Sequence, residues 1–193
     1  MIGLYYTGAK KYFGKQNLPG KSLGGNISSS KIPNKKMGNL FRSISETTVS
    51  KGLEEMRCIA IKNEGQLSIS EITLGIELEA DTISAFNAFL IMPAQGSSLG
   101  YYFEELDDSE SIPTIGTLVP LTNLESISVT GLTWKVGDYL GIWLQRVIAR
   151  PSSLSSLDCP ECDVLQAQME AGQEIKREEL YKLKIDFVEI PAV

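Results

Sequence analysis

The chain predicts an all-β fold, a β-sandwich of jelly-roll or Ig-like type carrying a long irregular N-terminal arm. Three observations predict it. About seven short segments show the two-residue alternation of strands, turn signals separate them about every ten to fifteen residues, and no strand-helix alternation of the α/β kind occurs. A length of 193 residues with 42% apolar content suits one core rather than two full domains. We therefore divide the chain into residues 1–45, an N-terminal strand with a basic extended arm, and residues 46–193, the sandwich body.

Residues 2–6 are apolar and aromatic, as a short strand requires. From Gly8 to Asn39 the chain holds six Gly, two Pro, four Asn, four Ser and seven Lys, with isolated apolar residues and no period. The spaced Leu23, Ile27 and Ile32, with Tyr12-Phe13, favour a docked arm over a free tail. Ordering such an arm costs on the order of 30–60 kcal/mol of backbone entropy, which only many contacts offset.

The body begins with residues 55–62, where Met56, Cys58 and Ala60 alternate with Arg57, Ile59 and Ile61. Ser70–Glu79 places Ile72, Leu74, Ile76 and Leu78 on one face. Leu67 and Ile69 stand in the opposite phase, so a bulge or turn is expected near Ser70-Glu71. Ala85–Met92, ended by Pro93, reads as a buried strand, and Tyr101–Phe103 starts a shorter one. Further strands are expected at 117–120, 127–130 and 139–149, the last with Leu140, Ile142, Leu144 and Ile148 together and Trp143 opposite. Gly131 to Tyr139 reads as the tight connection before it. Residues 150–180 carry a Ser-rich loop, a Cys-x-x-Cys motif and, over 163–179, short helical turns. Lys182–Val188 closes the fold with Leu183, Ile185 and Phe187 inward and Lys182, Lys184 and Asp186 outward.

Charge is segregated along the chain. Residues 1–45 carry eight basic side chains and no acid, whereas residues 63–134 carry eleven acids and no Lys or Arg. The net charge of −6 is thus +8 in the first 45 residues and −14 in the rest. An arm that seeks acidic protein surfaces, such as the 63–134 face of a neighbouring copy, satisfies both signs. A nucleic-acid contact stays open for the arm and is disfavoured for the acidic body.

The chain has no histidine, which removes Ser-His-Asp and Cys-His catalysis, His-ligated metals and a His base together. Three cysteines make no disulfide framework, and folding in a reducing cytoplasm is expected. Cys159-Pro160-Glu161-Cys162 offers half of a zinc site or a redox pair, with only Cys58 besides, so the plainer reading is a loop with two thiols. Gly20-Lys21-Ser22 lacks the preceding glycine of a phosphate loop. The cluster Glu104, Glu105, Asp107, Asp108, Glu110 lacks the spacing of a calcium loop and reads as a solvated loop or a face for a basic partner. Trp134, Trp143 and the tyrosine pairs offer a sugar platform, although aromatics in strands more often pack. No window is apolar enough to span a bilayer, and Met1–Tyr6 lacks a charged leader. Neither membrane, cofactor, metal nor enzymatic activity is expected.

Two stretches together resemble a known family. The first comprises Leu4-Tyr5-Tyr6-Thr7-Gly8-Ala9, Gln16, Ser22-Leu23-Gly24-Gly25, Ile27-Ser28-Ser29, Pro33-Asn34, Asn39-Leu40-Phe41 and Met56 to Asn63. The second is Gly137 to Arg146, with the closing strand Leu183–Phe187. The chain resembles virion structural proteins of tailed bacteriophages of the crAss-like kind. The resemblance implies a non-enzymatic subunit of capsid, head-to-tail connector or tail, made in the host cytoplasm and resident in the virion. Its partners would be other virion proteins and copies of itself. The contact residues expected from charge and exposure are Lys10, Lys11, Tyr12, Phe13, Lys15, Lys21, Leu23, Lys31, Lys35 and Lys36 in the arm. Trp143, Glu104, Glu105, Asp107 and Asp108 are expected on the body. The alternative is a carbohydrate-binding or adhesin-type sandwich module.

Overall fold

The structure is a computed structural model that describes residues 1–8, 15–33, 40–78, 82–91, 103–114, 116–131, 133–149, 176–177 and 181–190. Two antiparallel sheets pack against each other as an all-β sandwich. The larger sheet orders six strands: β2 (Asn26–Lys31), β1 (Ile2–Gly8), β4 (Leu53–Asn63), β9 (Tyr139–Ile148), β6 (Ala85–Ile91) and β7 (Val119–Leu121). The smaller sheet orders β11 (Tyr181–Glu189), β5 (Ile69–Leu78) and β8 (Ile127–Val129). A two-residue pairing joins β3 (Ile44–Ser45) to β10 (Lys176–Arg177). A short helix α1 (Glu46–Lys51) follows β3, capped by the Ser45 hydroxyl on the Thr48 N–H. No helix among the described residues is long and apolar enough to cross a membrane.

β4 and β9 form the spine, paired from Leu53↔Ile148 to Lys62↔Tyr139. Both faces of this pair are buried, which is why their sequences are apolar in both phases. Ile59 and Ile61 of β4, with Leu140, Ile142 and Leu144 of β9, meet Ile72, Leu74 and Ile76 of β5 in the space between the sheets. Met56, Cys58 and Ala60 point the other way and pack with Trp143, Phe89, Phe103 and Leu106.

The slip expected near Ser70 is present. Val188 pairs with Glu71 and Glu189 with Ile69, so Ser70 is the extra residue and Ile69 turns inward beside Ile72. At the same end, the buried Asn63 amide donates to the Leu67 and Trp134 carbonyls, tying two turns together.

One expectation changes. Lys176–Arg177, inside the stretch read as helical turns, is strand, because it pairs with Ile44–Ser45 far away in sequence and tertiary pairing overrides local composition. The rest of 150–175 lies outside the described residues, as do Tyr101 and Tyr102, while Phe103 makes one bridge to Gly25. The N-terminal segment contributes strands to the large sheet. β1 pairs with β4 and β2 pairs with β1, so this part of the N-terminal segment belongs to the body's own sheet.

Candidate functional site

Residues 15–33 lie on their own chain, held by a knot of buried polar side chains. The Ser22 hydroxyl accepts from the Thr7 N–H at 2.9 Å and donates to the Cys58 carbonyl at 2.6 Å. Gln16 Nε2 donates to the Thr7 carbonyl at 2.7 Å, and the Ser28 hydroxyl accepts from the Gln16 N–H at 2.9 Å. These three side chains satisfy main-chain groups of Thr7, Gln16 and Cys58 beside the register shift between Tyr5 and Thr7. The apolar residues follow the same course. Leu23 and Ile27 pack on the outer cluster around Trp143, and Ile32 and Phe41 on the core between the sheets.

The arm is thus docked, as the spacing of Leu23, Ile27 and Ile32 predicts, and the surface these residues and Phe41 meet is the chain's own core. Trp143 does meet the arm, but within the same chain and at 1% exposure. Trp134 is equally buried, so neither indole offers a face for sugar stacking.

The arm and the acidic loop touch directly. Gly25 exchanges main-chain hydrogen bonds with Phe103 at 2.8 and 3.0 Å, and the Leu106 N–H donates to the Leu23 carbonyl at 2.9 Å. Within the loop, the Glu104 carboxylate accepts from the Thr114 N–H and hydroxyl, and Asp108 accepts from the N–H groups of Glu110 and Ser111. Those contacts, led by the Ser111 hydroxyl, hold the Asp108 carboxyl below its usual range. Glu105 and Asp107 are exposed. Of the predicted basic contacts, Lys15 and Lys21 are exposed and Lys31 pairs with Glu64 of the same chain at 2.7 Å. Lys10, Lys11, Tyr12, Phe13, Lys35 and Lys36 lie outside the described residues, as do Cys159 and Cys162.

Lys31, Glu64 and Tyr5 form a small charged group on the open side of the large sheet. The Tyr5 hydroxyl donates to Glu64, and the Lys31 ammonium lies 5.6 Å from the Tyr5 ring centre. The Lys31 hydrogen bond, then that of Tyr5, lowers the Glu64 pKa. On β5, the Lys184 hydrogen bond lowers that of Glu77. Carboxylates with depressed folded-state pKa values contribute stability above the unfolded value, lost as pH falls through the folded one. The melting temperature is therefore expected to fall as pH drops below about 4.5, the ordinary value for these glutamates. Glu64→Gln should flatten that slope in a series of thermal melts.

A second constellation is buried and was not singled out from the sequence. Glu55 on β4 receives Arg57 at 2.9 Å through one oxygen and Arg146 of β9 through the other, all three nearly solvent-free. Arg57 also donates to the Leu40 and Met56 carbonyls, and Arg146 to the Arg42 carbonyl. Both guanidiniums lie over the Phe41 ring, Arg57 at 5.5 Å and Arg146 at 5.0 Å from its centre. Burial pushes the Tyr181 hydroxyl beside them up to about 12. The arrangement fastens Leu40–Arg42 to the sheet. The signal was available: Arg57 shares a face with Ile59 and Ile61, and a charge facing apolar partners needs a buried counter-charge.

Chemistry beyond packing is sparse. Cys58 is buried, and desolvation pushes its thiol well above the usual range. No group of three His, Cys, Asp or Glu able to hold a metal occurs among the described residues. A shallow cleft beside α1 is lined by Lys51, Leu53, Glu54, Glu110 and Ile148. Comparison with protein-family models, curated proteins and solved structures finds no match.

Proposed function

We propose that the chain is a non-enzymatic structural subunit of a tailed bacteriophage particle, in the capsid, head-to-tail connector or tail. It assembles with copies of itself and with other virion proteins through the lysines of its N-terminal segment and acidic surfaces of its neighbours. One observation carries this reading. Leu23, Ile27, Ile32 and the buried polar Gln16, Ser22 and Ser28 are consumed in the chain's own sandwich, whereas Lys15 and Lys21 are exposed, as is Asp107 on the acidic loop. Opposite charges displayed by one chain suit repeated contacts between copies. The resemblance of the arm and of the Gly137 to Arg146 stretch to phage virion proteins supports the same reading.

Deleting residues 9–38 would not test it, since that removes β2, Gln16, Ser22 and Ser28 and with them the support of β1. Charge reversal separates assembly from folding. Lys15 and Lys21, both exposed, changed together to Glu should leave thermal unfolding close to that of the parent and remove most incorporation into particles. Unchanged incorporation of that variant would sink the role given to the arm.

A further inference from the structure

We propose that the open edge of β11 is a homotypic docking surface, on which β11 of a second copy pairs antiparallel about a two-fold axis through Ile185. This inference does not rest on the particle role. β11 pairs with β5 along one side, and no strand lies along its other side among the described residues. At nine residues it is longer than the other edge strands, β2 with six and β7 and β8 with three each. It contains no proline, so its outward N–H and C=O groups form an unbroken template for another strand.

Its sequence is self-complementary. In an antiparallel pair centred on Ile185, Ile185 meets its own copy, Leu183 meets Phe187 twice, and Lys184 meets Asp186 twice. The apolar pairs fall on the side facing the core and the ion pairs on the solvent side, as the alternating exposure of β11 requires. Leu183, Ile185 and Phe187 already pack against the core but are only half-buried, and a second copy would cover them further.

Among the described residues no ion pair reaches Asp186 across the strands. Its partner on β5 is Thr73, flanked on the same face by Glu71 and Gly75, and residues 63–134 contain no Lys or Arg. Lys184 is paired with Glu77 at 3.1 Å on the exposed face and remains within reach of an acid on a neighbouring strand. Lysines at an open edge discourage indiscriminate pairing. Here they discourage strands that lack an acid in the matching register, which β11 itself supplies.

The test is sedimentation equilibrium on the full chain and on variants at both positions. The parent should dimerise. K184D and D186K should each weaken the homodimer about tenfold or more, because two attractive cross-strand pairs become two repulsive ones. Mixing the two single variants should restore a heterodimer, and the double variant K184D/D186K should restore the homodimer. Thermal melts establish that the variants fold, both side chains being on the solvent face. A parent that is monomeric throughout, a dimer indifferent to both substitutions, or folded variants that fail to complement each other would overturn the proposal.

Discussion

Replacing Glu55 by glutamine is expected to destabilise the protein by about 3–5 kcal/mol, the cost of breaking a buried ion pair from one side. For a chain of this size that corresponds to a fall in melting temperature of about 10 °C. The reason lies in the stoichiometry of the cluster. One carboxylate serves two guanidiniums that are 5% and 3% exposed, so removing its charge leaves Arg57 and Arg146 facing each other in a medium that solvates neither. Burial already lowers the Arg57 pKa, and Glu55 opposes that shift. The glutamine is nearly isosteric, so a large effect would report charge and not shape. Urea unfolding of E55Q measures it directly, and a loss under about 1 kcal/mol would mean that water or another acid neutralises the pair. Replacing all three residues by apolar ones of similar volume should cost far less than E55Q, since no charge is then stranded. The same experiment probes the N-terminal segment. Arg57 and Arg146 hold the Leu40 and Arg42 carbonyls, so E55Q should also speed amide exchange around Phe41.

How far the fold could be read from the chain depended on where each strand's stability comes from. β4 and β9 were legible because both of their faces are apolar, and the two sets of residues enter the two clusters that their alternation assigned. The bulge was legible for the same reason, as Leu67 and Ile69 stand out of phase with Ile72. β2 was not. Asn26 to Lys31 has one apolar residue, and what holds it is its pairing with β1 and the bonds of the Ser28 hydroxyl to Gln16, which no local pattern announces. β3 and β10 are two-residue strands that exist only through each other. At the candidate site, the charge segregation was visible in the sequence, and so was a docked arm. That residues 15–33 dock on their own chain followed only from tertiary structure, where Leu23 meets Leu106 and Lys31 meets Glu64.

The contact between the arm and the acidic loop rests on one residue whose substitution should have the next largest effect. Gly24 has φ +87°, and a Cβ added there would lie 1.7 Å from the Glu104 carbonyl oxygen and 3.1 Å from the Trp143 ring. The backbone conformation alone costs a residue with a Cβ about 1–2 kcal/mol. The clash is worse, since the obstructing atom is main chain and cannot turn aside. Relief requires the loop to move, which breaks the Gly25 bridge to Phe103 and the hydrogen bond from Leu106 to Leu23. Phe103 and Leu106 would then uncover part of the cluster around Trp143, Met56 and Cys58. Gly24→Ala should therefore cost about 2–4 kcal/mol in equilibrium unfolding, combining strain with lost burial. It should also make the 103–114 loop a target for limited proteolysis under native conditions. Gly20→Ala is the matched control. Gly20 lies in a 3-10 turn of the same segment, a Cβ added there would meet nothing within 4 Å, and the change should stay within about 0.5 kcal/mol. Equal effects at the two glycines would show that the segment is not clamped by the loop. A selective loss at Gly24 would locate the clamp where the basic segment and the acidic loop of one chain meet.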